Sequence, residues 1–394
     1  MLENMSPTSN NKSMEKRYLN KIHRHFRAGP DDRKLFSRIA VAPSRQREQI
    51  LQDVTALITR KGLAYGLLAL FRQQVNCGFV LSDPLSRKGK EIRRFKDGTC
   101  GVTFRLLWNP DRELRKNHSL LIKRGIIAEN IDNKKLINRN KDGKPCYLCP
   151  TNIALQNPAE ILLRLRLAGE NYYAGANFAY IENNHFTIMS SRHRAQLYKR
   201  HILVALNDFV EQTGGHFRAA FNGLAGTSIL EHEHFQVTTE LFPIEDIRIR
   251  KRDVIFQKGS IRISRPFYYT PLWVVEGRDK KSIIDAADRI IVQWQKLNPE
   301  YHTENVIAVK SDEVFRMFIF PRDTRRLSGE GKFGDMGSFE CAGSIVFSLQ
   351  PDERNTFDSA DLETARTLLA DIAPVVPKLD FGPPRRSLKD RDRQ

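Results

Sequence analysis

No apolar run in this chain approaches the ~20 residues that a membrane-spanning helix needs. The longest, Gly62 to Phe71, reads as part of a buried helix, so no membrane association is expected. An apolar leader is missing too: Met1 to Lys16 is polar, which excludes a secretory signal and predicts a cytoplasmic protein. Cysteine is scarce, with five residues at 77, 100, 146, 149 and 341, and an odd, scattered set excludes a disulfide framework. Nor does any stretch alternate basic and aromatic residues as an RNA-recognition sheet does. Nucleic-acid binding through basic ends is compatible with the charge but not favoured.

What the chain does carry is positive charge, +18 over 394 residues, which asks for an anionic partner or substrate. Much of it sits near the ends, in Lys16, Arg17, Lys21, Arg24 and Arg27 and again in Arg385, Arg386, Lys389, Arg391 and Arg393. Residues 1–45 read as a basic, flexible lead-in, and 376–394 as a basic tail. Between them the length calls for about two units, which we place at 46–250 and 251–375.

Periodicity fills in the elements. Ser44 to Gln74 is predicted helical from Ile50, Val54, Leu57 and Ile58. Asn177–Ile181 and His185–Met189 read as two strands, Leu197–Gln212 as an amphipathic helix ended by Gly214-Gly215, and Glu231–Thr239 as a strand. Further on come a helix over Lys281–Leu297, strands at 305–309, 315–320 and 344–347, and a helix from Asp358 to Ile372. An α+β chain of two similar halves follows.

On the strand over 231–239, His232, His234, Gln236 and Thr238 share one parity and would face one side, roughly 6.6 Å apart at a ~3.3 Å rise per residue. Two imidazoles and an amide in line suit phosphate chemistry, because a neutral imidazole attacks phosphorus and the resulting phosphoramidate can be broken by a second acceptor. Just upstream, Gly226-Thr227-Ser228 offers backbone N–H groups and two hydroxyls to phosphate oxygens. Cys146-x-x-Cys149 is by itself a zinc half-site, a redox pair or two unrelated thiols.

Gly226-Thr227-Ser228 followed by His232-Glu233-His234-Phe235-Gln236 resembles the active-site stretch of the transferase branch of the histidine-triad superfamily. That branch holds galactose-1-phosphate uridylyltransferase, diadenosine tetraphosphate phosphorylase and the GDP-hexose phosphorylases. The resemblance implies two histidine-triad-like halves, each an antiparallel sheet with packed helices, the first catalytic and the second degenerate. It implies His234 as nucleophile, with Gln236 on the phosphoryl group and Ser228 beside them. Asn177, Asn222, Gly226, Thr227 and Arg322 would be substrate-binding. It further implies zinc held by Cys146, Cys149, His193 and His232. His185 competes as a ligand, although its place within a strand favours packing.

The implied substrates are a nucleoside diphosphate sugar or a dinucleoside polyphosphate, with phosphate or a sugar phosphate as acceptor. Members of the branch occur as monomers and as dimers, so a homodimer is compatible with it. Two departures bear on specificity: the spacing from Ser228 to His232 is one residue longer than in the uridylyltransferases, and Glu233 stands where they have proline. Two rivals stay open, a hydrolase of the same fold and a nucleotide- or nucleic-acid-binding protein without turnover.

Overall fold

The computed structural model describes residues 9–85, 89–140, 142–329, 335–348 and 351–377. The lead-in expected to be flexible instead forms two helices from residue 9 onward, α1 (Ser9–His25) and α2 (Pro30–Val41). Basic residues hide an apolar stripe there. Ile22 from α1 and Leu35, Phe36 and Ile39 from α2 are buried in the main core. Buried Arg72 adds a polar tie, pairing with Glu15 at 2.6 Å and with Asp83 at 3.0 Å. Residues 1–8, and the basic tail from 378 on, lie outside the described residues.

The helix read over Ser44–Gln74 is α3 (Arg47–Lys61) and α4 (Leu63–Asn76), divided at Gly62 with φ +86°. Further on, β1 (Glu91–Lys96) and β2 (Thr103–Trp108) are joined by β13 (Ser344–Phe347) in a three-stranded sheet, β13 running parallel to β2. The second sheet is built from ten antiparallel strands. Its first half holds β3 (Leu163–Leu167), β4 (Glu170–Ala176), β5 (Phe186–Ser190), β7 (His234–Thr238) and β6 (Arg218–Asn222), in that spatial order. The second half holds β11 (His302–Ser311), β12 (Val314–Asp323), β10 (Trp273–Gly277), β9 (Ile261–Ser264) and β8 (Val254–Lys258).

The fold class is the α+β one expected, and the ten-stranded sheet is antiparallel throughout. The two halves of the ten-stranded sheet come from either side of residue 250, but they are not separate units. β6 pairs with β11, so one sheet runs through both, and β13 carries the later part of the chain back to β2. Both faces of the shared strands are buried. Val306, Ala308, Met317 and Ile319 meet α7 (Arg200–Gln212) and α8 (Lys280–Leu297) in one core, while Ile307, Phe318 and Phe320 point into another. That second core is shared with the three-stranded sheet, α9 (Ser338–Cys341) and α11 (Leu362–Asp371). On β7, Phe235 and Val237 join the first core, which turns His234, Gln236 and Thr238 to the opposite face.

Three local expectations differ. The strand read over 177–181 is displaced upstream to β4, and Asn177 is a turn residue whose Oδ1 accepts from the Ala179 N–H at 3.1 Å. The helix read from Asp358 is two, α10 (Pro351–Ser359) and α11, with Asp361 capping the latter through the Thr364 N–H at 2.8 Å. His232 precedes β7 rather than lying on it.

β11 also carries a buried acid. Glu304 Oε2 accepts from Gln295 Nε2 at 2.8 Å, while Oε1 has no partner. Burial pushes this carboxyl up to about 8 from 4.5. The folded chain therefore keeps a proton that the unfolded chain releases, so stability is whole at low pH and falls as pH rises toward the folded value. Glu304→Gln is expected to flatten that fall by of order 1–2 kcal/mol between about pH 6 and pH 8 in urea unfolding. Parallel pH profiles for the two proteins would reject the assignment.

Candidate active site

His234 opens β7, and its environment sets its tautomer. Its Nδ1 lies 2.8 Å from the His232 carbonyl oxygen, which can only accept, so Nδ1 carries the proton. Nε2 keeps its lone pair and lies 3.5 Å from Thr227 Oγ1. Burial lowers the imidazole below its usual 6.5, which favours that neutral form. Gln196, fully buried, fixes the backbone: its Oε1 accepts from the His234 N–H at 2.8 Å, and its Nε2 donates to the carbonyls of Asn222 (2.7 Å) and His234 (2.9 Å). No sequence pattern singles out Gln196, because nothing in its neighbourhood announces a bridge to β6 and β7.

The turn before β7 is held from the second half of the chain. Asn222 Nδ2 donates to the Gly226 carbonyl at 2.9 Å, and Asn222 Oδ1 accepts from the Ser338 N–H at 2.7 Å. Its amide is thus spent on the loop. The Gly226 N–H, expected to face phosphate, donates to the Asp335 carboxylate. Arg322 is also committed elsewhere. It is fully buried, paired with Asp335 at 2.9 Å and donating to the Met336 carbonyl, so it does not project toward a phosphate. Thr227 is the loop residue brought to His234, whereas Ser228 is exposed and makes no hydrogen bond to His234 or Gln236. Asn177 stands beside the site at one remove, 3.5 Å from Thr187 Oγ1, and Thr187 lies across from Gln236.

Gly226 must be glycine. Its φ is +82°, and an added Cβ would lie 2.4 Å from Gly337 Cα and 2.8 Å from the Met336 carbonyl, both backbone atoms that cannot swing aside. Gly226→Ala is expected to cost about 2 kcal/mol or more and to detach the loop from the 335–338 segment. Gly143→Ala provides the control: φ is +74° there but nothing lies within 4 Å, so only the ~1 kcal/mol conformational cost applies. Equal losses of Tm in the two variants would contradict the close-approach argument.

Glu233 points away from His234, between the two histidines in sequence. Its buried carboxylate accepts from Arg194 (2.6 Å), Tyr172 (2.9 Å) and His201 (2.7 Å). The Arg194 and His201 contacts hold it below the usual carboxylate range against the opposing effect of burial. The stretch between the two histidines is thus held by side-chain contacts.

Cys146, Cys149, His193 and His232 converge, their ligand atoms all within 4.8 Å of one another. Cys146 Sγ and Cys149 Sγ lie 3.4 and 3.7 Å from His232 Nδ1, and Cys149 Sγ lies 3.4 Å from His193 Nδ1. Tetrahedral zinc, with bonds near 2.0–2.3 Å, sets its ligand atoms roughly 3.3–3.8 Å apart, and these three distances fall in that range. His232 is oriented for it: Nε2 donates to the Ser190 carbonyl at 2.8 Å, leaving the Nδ1 lone pair toward the sulfurs. Burial pushes the Cys146 thiol up to about 12 and His232 down to about 4. Asn138 Nδ2 donates to Cys149 Sγ at 3.2 Å and the Leu148 N–H to Cys146 Sγ at 3.4 Å, contacts that favour thiolates. His185, the competing ligand, lies outside this group.

No protein-family model matches the chain. It is 26% identical to galactose-1-phosphate uridylyltransferase of Streptococcus mutans over 203 residues, 45% of this chain and 40% of that one. With the Fusobacterium nucleatum uridylyltransferase it shares 27% over 203 residues, 46% and 40% of the two chains. Over this stretch the chain is similar to these enzymes. It matches about 40% of the length of these relatives. Among solved structures, yeast Ap4A phosphorylase in complex with Ap4A is 12% identical, with a TM-score of 0.48 over 84% of this chain and 98% of that one. A galactose-1-phosphate-uridylyltransferase-like protein from Arabidopsis thaliana is 12% identical, with a TM-score of 0.32 over 69% and 99%. His234 beside Thr227, with Gln236 on the same face of β7, is the arrangement that these comparisons bear on.

Proposed function

We propose that this protein is a nucleotidyltransferase acting through a covalent nucleotidyl-His234 intermediate. The observation that carries the reading is the placing of the His234 imidazole, with Nδ1 on the His232 carbonyl oxygen and Nε2 beside the Thr227 hydroxyl. Nε2 forms a bond to the α-phosphorus of a nucleoside diphosphate sugar or dinucleoside polyphosphate. The phosphoanhydride P–O bond breaks, and the leaving sugar phosphate or nucleotide takes the electron pair. Phosphate or a sugar phosphate then attacks the same phosphorus, the P–Nε2 bond breaks, and the imidazole returns to its starting state. The His232 carbonyl stabilises the imidazolium character at Nδ1 throughout, and the Thr227 hydroxyl and the Gln236 amide are donors for the phosphoryl oxygens.

Zinc on Cys146, Cys149, His193 and His232 would be structural, holding together the loop before α6 (Pro150–Gln156) and the segments that follow β5 and precede β7. All four positions are taken by protein ligands, so the ion would leave no position open to substrate.

Intact mass after incubation with UDP-, GDP- and ADP-hexoses and diadenosine tetraphosphate, without acceptor, tests the reading. The expected result is a gain of one nucleoside monophosphate from one donor, discharged by phosphate or a hexose phosphate. Folded protein that binds a donor yet gains no mass would instead identify a nucleotide-binding protein without turnover. An adduct that water discharges as fast as phosphate does would identify a hydrolase.

A further inference from the structure

The His185 imidazole is fully buried between the Phe339 ring, 5.3 Å away, and the Gln236 side chain. Its two nitrogens meet different partners. The Ile181 backbone N–H, which can only donate, points at Nδ1 at 3.1 Å, so Nδ1 carries a lone pair. In a neutral ring the proton is then on Nε2, 3.1 Å from Gln236 Oε1. Only an oxygen can accept it, which decides how the Gln236 amide is turned. Burial, with the nearby Arg112 charge, holds the imidazole down to about 3, and a second proton on Nδ1 would oppose the Ile181 N–H.

The consequence lies on the exposed side of the amide. Gln236 shares a face of β7 with His234 and is half-buried, and its NH2 takes no partner among the described residues. With Oε1 occupied, Gln236 offers the site a donor and no acceptor. A donor suits a phosphoryl oxygen. A water attacking the nucleotidyl adduct needs the opposite, an acceptor to orient it, as a glutamine oxygen does in other phosphoryl-transfer enzymes.

We propose that His185 is a positioning residue that locks the Gln236 amide with its NH2 toward the phosphoryl group, and so protects the nucleotidyl-His234 intermediate from water. The inference rests on the transfer reaction proposed above. In the suppressed reaction a water oxygen would bond to phosphorus as the P–Nε2 bond breaks, yielding the nucleoside monophosphate, free imidazole and a proton to solvent. Without the His185 contact the amide can rotate, bring Oε1 to face that water and assist it.

Two measurements test this. Imidazole 15N NMR of the unmodified protein should show His185 as the Nε2–H tautomer, and an Nδ1–H tautomer overturns the proposal. The second is the lifetime of the adduct in water against its discharge by phosphate. His185→Phe keeps the ring volume but lacks a donor, and is expected to form the adduct yet lose it to water about tenfold faster, the worth of one buried hydrogen bond. His185→Gln retains a donor for Oε1 and should restore most of the lifetime, which a purely structural role would not explain. An adduct of unchanged lifetime in His185→Phe overturns this proposal alone. Absence of any adduct in the unmodified protein overturns it together with the transfer reaction.

Discussion

His234→Ala is expected to lower nucleotidyl transfer by at least ~10⁴-fold and to abolish the mass adduct, because it removes the atom proposed to bond to phosphorus. The fold should survive. The side chain is buried, but its hydrogen bonds are few, and Gln196 holds the strand through backbone groups that alanine retains. His232→Ala, two residues away, should behave differently. It deletes the proposed metal ligand, whose ring faces Cys146 and Cys149, so it should cost stability and metal content first, with activity following the folded fraction. The pair of variants thus separates two roles that one short motif combines. A mass adduct in His234→Ala would remove that residue from the chemistry. A His232→Ala protein that keeps its metal and Tm but loses the adduct would reverse the two assignments.

Much of the site was legible because it is local. The HxHxQ stretch, the small-residue turn and the alternation of β7 lie within fifteen residues, and parity alone turns His234 and Gln236 to one face. What pattern could not supply is which groups arrive from a distance. Asp335 reaches the Gly226 N–H from 109 residues away and Gln196 reaches His234 from 38, and neither lies in a recognisable motif. The same gap misplaced Arg322. An arginine after Phe318-Ile319-Phe320-Pro321 reads as a substrate-binding cation, whereas β12 carries it into the interior against Asp335. Charge misled again at the N-terminus, where lysines and arginines outnumber the few apolar residues that seat α1 and α2. Parity failed once, at His232, because pairing as β7 starts only at His234 and the ring is free to turn toward the cysteines.

That turn makes His232 the link between the two parts of the site, and metal removal should show it. The imidazole belongs to the cysteine cluster, while the backbone carbonyl of the same residue holds the His234 Nδ1–H. An ion bound to the ring would therefore fix the peptide that sets the tautomer of His234. Zinc is expected at about one per chain by elemental analysis, its binding releasing the thiol protons. Stripping it with a chelator, or replacing Cys149 with alanine, should lower Tm by about 5 °C or more, since the ligands come from three separate segments that the ion joins. Adduct formation should fall as well, though His234 itself is untouched, and zinc added back to the stripped protein should restore both. Stripped protein with unchanged Tm and unchanged adduct formation would mean that hydrogen bonds alone hold the cluster. Loss of Tm with full adduct formation would confine the ion to stability and break the proposed link through the His232 carbonyl.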